Sequence, residues 1–314
     1  MKKEKVVFDS RDGKSKIFGV RWIPDGEVKG ILQIIHGMSE YIDRYEAFAE
    51  YLTTQGYLVC GEDHLGHGET AIQGEMPTGY FCPQDPATVV VRDVHRMKKL
   101  TEEKYPGVPY FILGHSMGSF IARNYLLRYG KGIKGAVIMG TGAQSKGLLT
   151  ASKAMAGVIG FFCGQKHLSK TINQAAFGAY CKRIENPETP QDWLSVNREK
   201  VTKYNADAMG GFPFTINGFK CLFELLWRLT DERELLKIPA TIPVFFVAGA
   251  EDPVGEYGEA VKKVKESFVK AGIKDVSLKL YEGDRHEILN EDDRQTVYED
   301  IRDWLNAHIE QKEA

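Results

Sequence analysis

Apolar positions recur along this chain in two periods: short, nearly continuous apolar runs alternate with segments whose apolar residues fall three and four apart. Residues 5–9 and 16–23 predict strands joined by the turn at Asp12-Gly13. Residues 30–36, with Ile31, Leu32, Ile34 and Ile35, predict a strand apolar on both faces, which belongs inside a sheet. Segment 41–54 has helical spacing of Phe48, Tyr51 and Leu52, and breaks at Gln55-Gly56 before a strand at 57–60. Asp85 followed by Pro86 predicts a helix start; Val90, Val94, Met97 and Thr101 mark one face, and the helix stops before Pro106. Strands at 108–113, 133–139, 241–248 and 276–281 alternate with helices at 118–128, 258–270 and 293–308. Strands alternating with helices of this length need parallel crossovers, so the expected fold class is α/β, with a mostly parallel, doubly wound sheet. The rhythm stops between 144 and 237. That stretch holds helix-like segments, glycine-rich joints and a turn at 187–190, and it predicts a helical cap inserted between core segments 1–143 and 238–314.

Composition narrows the function classes. The 314 residues are 43% hydrophobic and 27% charged, which supports a buried core and excludes a disordered or fibrous chain. Forty-one Lys and Arg against 43 Asp and Glu leave a net charge of -2, so nucleic acid is not an expected partner. No apolar run is long enough for a membrane span, and the charged start of the chain does not fit a signal peptide, so the cytoplasm is the expected location. Five cysteines, Cys60, Cys82, Cys163, Cys181 and Cys221, lie far apart without a CxxC pair; reduced, mostly buried thiols are expected.

The chemistry concentrates after predicted strands. Gly114-His115-Ser116-Met117-Gly118 lies between a buried strand and a helix, the context a G-x-S-x-G elbow requires. Its glycines permit a sharp turn that lifts the Ser116 hydroxyl clear of the sheet. Serine needs a base, and the base needs an acid that fixes its tautomer. Asp252 follows the strand at 241–248 and His286 follows the strand at 276–281, both at the edge where such a sheet opens its crevice. The expected nucleophile, acid and base are therefore Ser116, Asp252 and His286. Two backbone donors are needed for the oxyanion, and the N–H groups of Met38 and Met117 are the candidates. Asp63 is a rival acid that precedes Ser116 in the chain. His64 and His67 lack a third matching ligand, so no metal is expected and a turn-stabilising network is; no cofactor is expected either. His115 is expected to pack beside the nucleophile, and His95 and His308 to lie on helices.

The combination of His36-Gly37-Met38-Ser39-Glu40 with Arg44-Tyr45, Asp63-His64-Leu65-Gly66-His67-Gly68, Tyr105-Pro106-Gly107, the elbow, and Tyr281-Glu282-Gly283 with His286 resembles the monoacylglycerol lipase and lysophospholipase group of α/β-hydrolases, in its bacterial form. The resemblance runs from about Gly30 to Leu305. It implies the α/β-hydrolase fold, a triad at Ser116, Asp252 and His286, and an oxyanion hole at Met38 and Met117. Asp192-Trp193-Leu194-Ser195 and Gly211-Phe212-Pro213-Phe214-Thr215 in the insertion are similar to bacterial members. The expected activity is carboxylic ester hydrolysis through an acyl-enzyme, with a monoacylglycerol or another single-chain lipid ester as the partner. Apolar insertion residues such as Met155, Phe212 and Leu222 could line an acyl pocket or simply pack the cap itself. A small-ester carboxylesterase is one alternative. An aminopeptidase is another, and it would need Glu185, Glu188, Asp207 or Glu224 in the pocket to hold an ammonium group. A ligand receptor on a hydrolase fold is the non-enzymatic alternative.

Overall fold

The computed structural model describes residues 1–309; the last five residues of the expected 238–314 segment lie outside the described residues. Strands β1 (Lys2–Asp9), β2 (Lys16–Ile23), β3 (Gly30–Ile35), β4 (Tyr57–Glu62), β5 (Tyr110–His115), β6 (Gly135–Met139), β7 (Val244–Gly249) and β8 (Val276–Tyr281) form one sheet. Its spatial order is β1-β2-β4-β3-β5-β6-β7-β8. β1 and β2 pair antiparallel, β2 meets β4 antiparallel, and every pairing from β4 to β8 is parallel. Because all six parallel strands end on one edge, the loops after β3, β5, β6, β7 and β8 meet there.

Side chains alternate across the sheet, and both faces are covered. In β3, Ile31 and Ile35 join one apolar cluster while Leu32 and Ile34 join the other; Val244 and Phe246 of β7 face opposite to Phe245 and Val247 in the same way. This is why the central strands read as continuous apolar runs. Helices α1 (Glu46–Thr54) and α10 (Arg294–Ile309) cover one face; α3 (Pro86–Lys104), α4 (Met117–Tyr129) and α9 (Glu259–Lys270) cover the other. The start of α3 is the one expected: the Asp85 side chain accepts from Thr88 N–H and Pro86 stands at the first helical position.

Three local features depart from the sequence pattern. The segment expected to be helical from 41 begins as a 3-10 turn, Ile42–Tyr45, before α1. A short helix α2 (Gly68–Gln73) follows the Asp63–Gly68 loop, too brief to show a period. The strand expected at 108–113 runs instead from Tyr110 to His115, so it delivers the elbow directly to the sheet edge. The thiols are free and mostly buried, as expected: Cys60, Cys82 and Cys221 are buried, Cys181 is half-buried, and Cys163 is exposed where α5 (Lys146–Cys163) ends at the surface.

Between β6 and β7 the chain forms α5, α6 (Lys170–Phe177), α7 (Arg198–Ala206) and α8 (Ile216–Arg228), with a 3-10 turn at Asp192–Leu194. α8 lies against α3, α4 and α5, and Phe214, Ile216, Phe219 and Leu222 belong to the same apolar cluster as the sheet. Asn217 fastens the start of α8 to the 79–82 loop, accepting from Phe81 N–H (2.9 Å) and donating to the Cys82 carbonyl (2.7 Å). Among the described residues no helix is long and apolar enough to cross a membrane. Phe246 is fully buried at the centre of this shared core, whereas Val7 is half exposed on the edge strand. Phe246→Ala is expected to destabilise the protein by about 3 to 5 kcal/mol and Val7→Ala by under about 0.5 kcal/mol, as read from urea midpoints at unchanged slope; equal losses for the two would contradict this division of the core.

Candidate active site

Ser116 sits between β5 and α4 with φ 53° and ψ −121°, a backbone conformation that a side-chain-bearing residue adopts only when its surroundings hold it there. Its N–H donates to the Met139 carbonyl (3.0 Å), and its own carbonyl accepts from Ser119 N–H (2.9 Å) and Ser119 Oγ (2.6 Å). Glycine is required on either side for close approach. A Cβ on Gly114 would strike the Gly118 carbonyl oxygen, and one on Gly118 would strike the Ile35 carbonyl oxygen. The Ser116 hydroxyl opens on a cavity of about 600 Å³ whose wall also includes His286, Met38 and Met117.

Asp252, from the loop after β7, accepts from His286 Nδ1 at 2.8 Å, and both side chains are buried. That bond leaves Nε2 as the free ring nitrogen, and among the described residues Nε2 has no hydrogen-bond partner. Ser116 and His286 share the cavity without being bonded to each other, a separation common in sites without substrate. Gly140, after β6, has φ 58°, and a Cβ there would lie 3.1 Å from His286 Cε1, so the bare backbone makes room for the ring. Met117 is the first residue of α4, where no intrahelical acceptor exists for its N–H. Met38 follows Gly37, where a Cβ would come within 3.0 Å of Ser116 Cβ. Among the described residues neither the Met38 nor the Met117 N–H is taken by a backbone carbonyl.

Asp63, the rival acid, accepts from Ile42 N–H (2.7 Å) and Glu69 N–H (2.8 Å) and holds its own loop instead of a histidine. His64 and His67 of that loop cluster with His36, His36 and His64 stacked at 3.9 Å. Burial keeps these imidazoles uncharged, pushing His36 down to about 4 and His67 to about 3. His64 N–H donates to His36 Nε2 (3.0 Å), which ties the loop after β4 to the loop carrying Met38. His95 lies on α3 against Tyr129, and His308 on α10 bonds the Asp275 carboxylate at 3.0 Å.

A buried charge network was not anticipated from the sequence. Arg44 donates two parallel bonds to Glu287 (2.8 Å each) and a third to Glu40 (3.0 Å). Glu40 in turn accepts from Gly37 N–H, Tyr45 OH (2.8 Å) and His115 Nδ1 (3.1 Å), while His115 Nε2 faces the His286 carbonyl at 3.2 Å. Both nitrogens of His115 thus point at acceptors, which suits an imidazolium. Burial opposes that charge, but the Glu40 carboxylate outweighs it and raises the imidazole above its ordinary 6.5. Burial likewise opposes ionisation of Glu287, and Arg44 overcomes it. The signal available in sequence was the Glu40/Arg44 spacing of four and a charge directly after His286. The segment between β6 and β7 adds one more neighbour: Trp193 stands 4.9 Å from the His286 ring.

Comparison with known proteins agrees with this fold. The family model described as serine aminopeptidase, S33, matches residues 26–293. A monoacylglycerol lipase of Mycolicibacterium smegmatis is 28% identical over 295 residues, covering 92% of each chain. The human monoglyceride lipase is 26% identical over 303 residues, covering 91% of this chain and 85% of its own. A thermostable carboxyl esterase from Bacillus coagulans, solved with glycerol, superposes with a TM-score of 0.92 at 31% identity, covering 98% of this chain and 99% of that one.

The raised His115 makes stability depend on pH with a definite sign. Its contribution is complete below the unfolded value near 6.5 and is lost as pH rises through the higher folded value. The unfolding free energy of the wild type is expected to fall relative to His115→Gln as pH rises above the ordinary imidazole value of 6.5, measured by urea titration; parallel profiles would show that His115 is not charged in the fold.

Proposed function

Because the chain belongs to the serine aminopeptidase (S33) family of α/β-hydrolases, we propose that Ser116, Asp252 and His286 act together as its nucleophile, orienting acid and base. The protein is a serine ester hydrolase. Ser116 Oγ attacks the ester carbonyl while His286 Nε2 takes its proton; Asp252 holds Nδ1–H and stabilises the imidazolium that forms. The carbonyl oxygen becomes an oxyanion that the Met38 and Met117 N–H groups receive, and one such donor is worth about 10²- to 10³-fold in turnover. His286 returns the proton to the leaving alcohol. Water then enters, loses a proton to His286 and attacks the acyl carbon; the bond to Ser116 Oγ breaks, the acid leaves, and His286 returns the proton to Ser116 Oγ.

We read residues 144–237 as a cap that supplies most of the acyl pocket, and a single-chain lipid ester such as a monoacylglycerol as the preferred substrate. The observation that carries this is the cavity wall. Leu149, Met155, Phe177, Phe212, Leu222 and Leu226 make it apolar, and the two carboxylates on it, Glu40 and Glu287, are balanced by Arg44 and the His115 imidazolium. Among the described residues none of the insertion acids that an aminopeptidase would use reaches the cavity. Asp207 accepts from Tyr41 OH, Glu188 pairs with Arg198, and Glu224 pairs with Lys153 and Arg228. An ammonium group would therefore be buried without a counter-charge, which is costly, whereas each methylene buried contributes about 0.8 kcal/mol.

That methylene value corresponds to roughly a fourfold gain per carbon. Across p-nitrophenyl esters of increasing chain length, kcat/KM is expected to climb steeply from acetate until the pocket is filled, 1-monoacylglycerol to be cleaved, and an aminoacyl p-nitroanilide to be ignored. A flat ester profile, or an anilide cleaved faster than the esters, would overturn the lipid assignment.

A further inference from the structure

The 3-10 turn Asp192–Leu194 lies in the insertion, yet its hydrogen bonds run to the loop that carries His286. Glu287 N–H, one residue after the base, donates to the Leu194 carbonyl at 2.8 Å. Arg285, one residue before it, donates from Nη1 to the carbonyls of Asp192 (2.7 Å) and Ser195 (3.0 Å). Glu291 completes the clamp, accepting from Ser195 Oγ (2.6 Å), Val196 N–H (3.0 Å) and Arg285 N–H (3.1 Å). The clamp therefore grips the base from both sides in sequence, and the turn and the histidine loop form one unit.

The side chain at the centre of that turn is Trp193. Its ring lies 4.9 Å from the His286 ring at 49°, and it is supported on its other contact by Tyr180, also at 4.9 Å. His115 approaches the same imidazole at 4.7 Å. The Asp252 bond fixes one atom of the ring, Nδ1, and leaves rotation about that bond to be limited by packing. We propose that Trp193 is a positioning residue for His286: the clamped turn holds the indole against the imidazole so that Nε2 stays aimed at the Ser116 hydroxyl. This rests on the reading of His286 as the base. The indole also lies on the cavity wall, so the alternative to be distinguished is a side chain that merely touches substrate.

The two roles separate on a substrate too short to fill the acyl pocket. With p-nitrophenyl acetate, Trp193→Leu is expected to lower kcat by roughly ten- to hundredfold while KM changes by under about threefold, since a small misplacement of a reacting group is costly. Trp193→Phe, which keeps a flat ring, is expected to stay within about threefold of wild type. Ser195→Ala, which weakens the clamp without touching the cavity, is expected to lower kcat in the same sense. Thermal melting of each variant accompanies the kinetics, and Trp193→Phe and Ser195→Ala provide the test should Trp193→Leu not fold. An unchanged kcat in Trp193→Leu or Ser195→Ala, or a change confined to KM, overturns the proposal. His286→Ala is run alongside. If it abolishes turnover while the Trp193 and Ser195 variants keep full kcat, only the positioning role falls; if it leaves turnover intact, the assignment of the base falls first.

Discussion

The site depends on one strained residue. Ser116 holds a positive φ that costs of the order of 1–3 kcal/mol, and the surrounding backbone offsets that cost. Its N–H is bound to Met139, its carbonyl is held twice by Ser119, and Gly114 and Gly118 let α4 approach β5 and β3 more closely than any side chain would permit. Ser119 Oγ lies 2.8 Å from Thr141 Oγ1, and Arg123 donates to Thr141 and to the Gly142 carbonyl, so the loop after β6 braces the elbow from below. The raised Ser116 hydroxyl can act on a substrate only if the loops after β3, β7 and β8 meet it, and the parallel sheet brings them to the same edge.

The charge network joins those loops to each other. Glu40 holds the Gly37 N–H in the loop that bears Met38, Arg44 links Glu40 to Glu287 beside His286, and His115, next to Ser116, spans from Glu40 to the His286 carbonyl. Helix α7 enters the same network: the Arg44 guanidinium lies 4.8 Å from the Tyr204 ring, and the Tyr204 hydroxyl bonds the Ser39 carbonyl. Buried ion pairs add little net stability, but leaving one partner alone in the interior costs several kcal/mol. The network therefore acts mainly as a constraint on relative position.

What the amino-acid pattern revealed follows from what has a local period. The apolar runs of β3, β5, β6 and β7 stand out because both sheet faces are covered, and the elbow stands out because strain demands glycine at fixed offsets. Asp252 and His286 stood out as candidates because each follows a strand of the parallel set. Contacts between distant loops have no such period. The Arg44–Glu287 pair spans 243 positions, and the two bonds from Arg285 to the Asp192 and Ser195 carbonyls span 93 and 90. The charge on His115 depends on a carboxylate 75 residues away, and composition alone made it an ordinary neighbour of the serine.

The most direct test of the account is to find where a fluorophosphonate attaches. Treated protein is digested and the adduct located by mass spectrometry, in the wild type and in Ser116→Ala. A single adduct at Ser116, lost together with esterase activity in the variant, is the predicted result. Esterase activity that survives in Ser116→Ala, or an adduct on another serine that tracks the loss of activity, would contradict it.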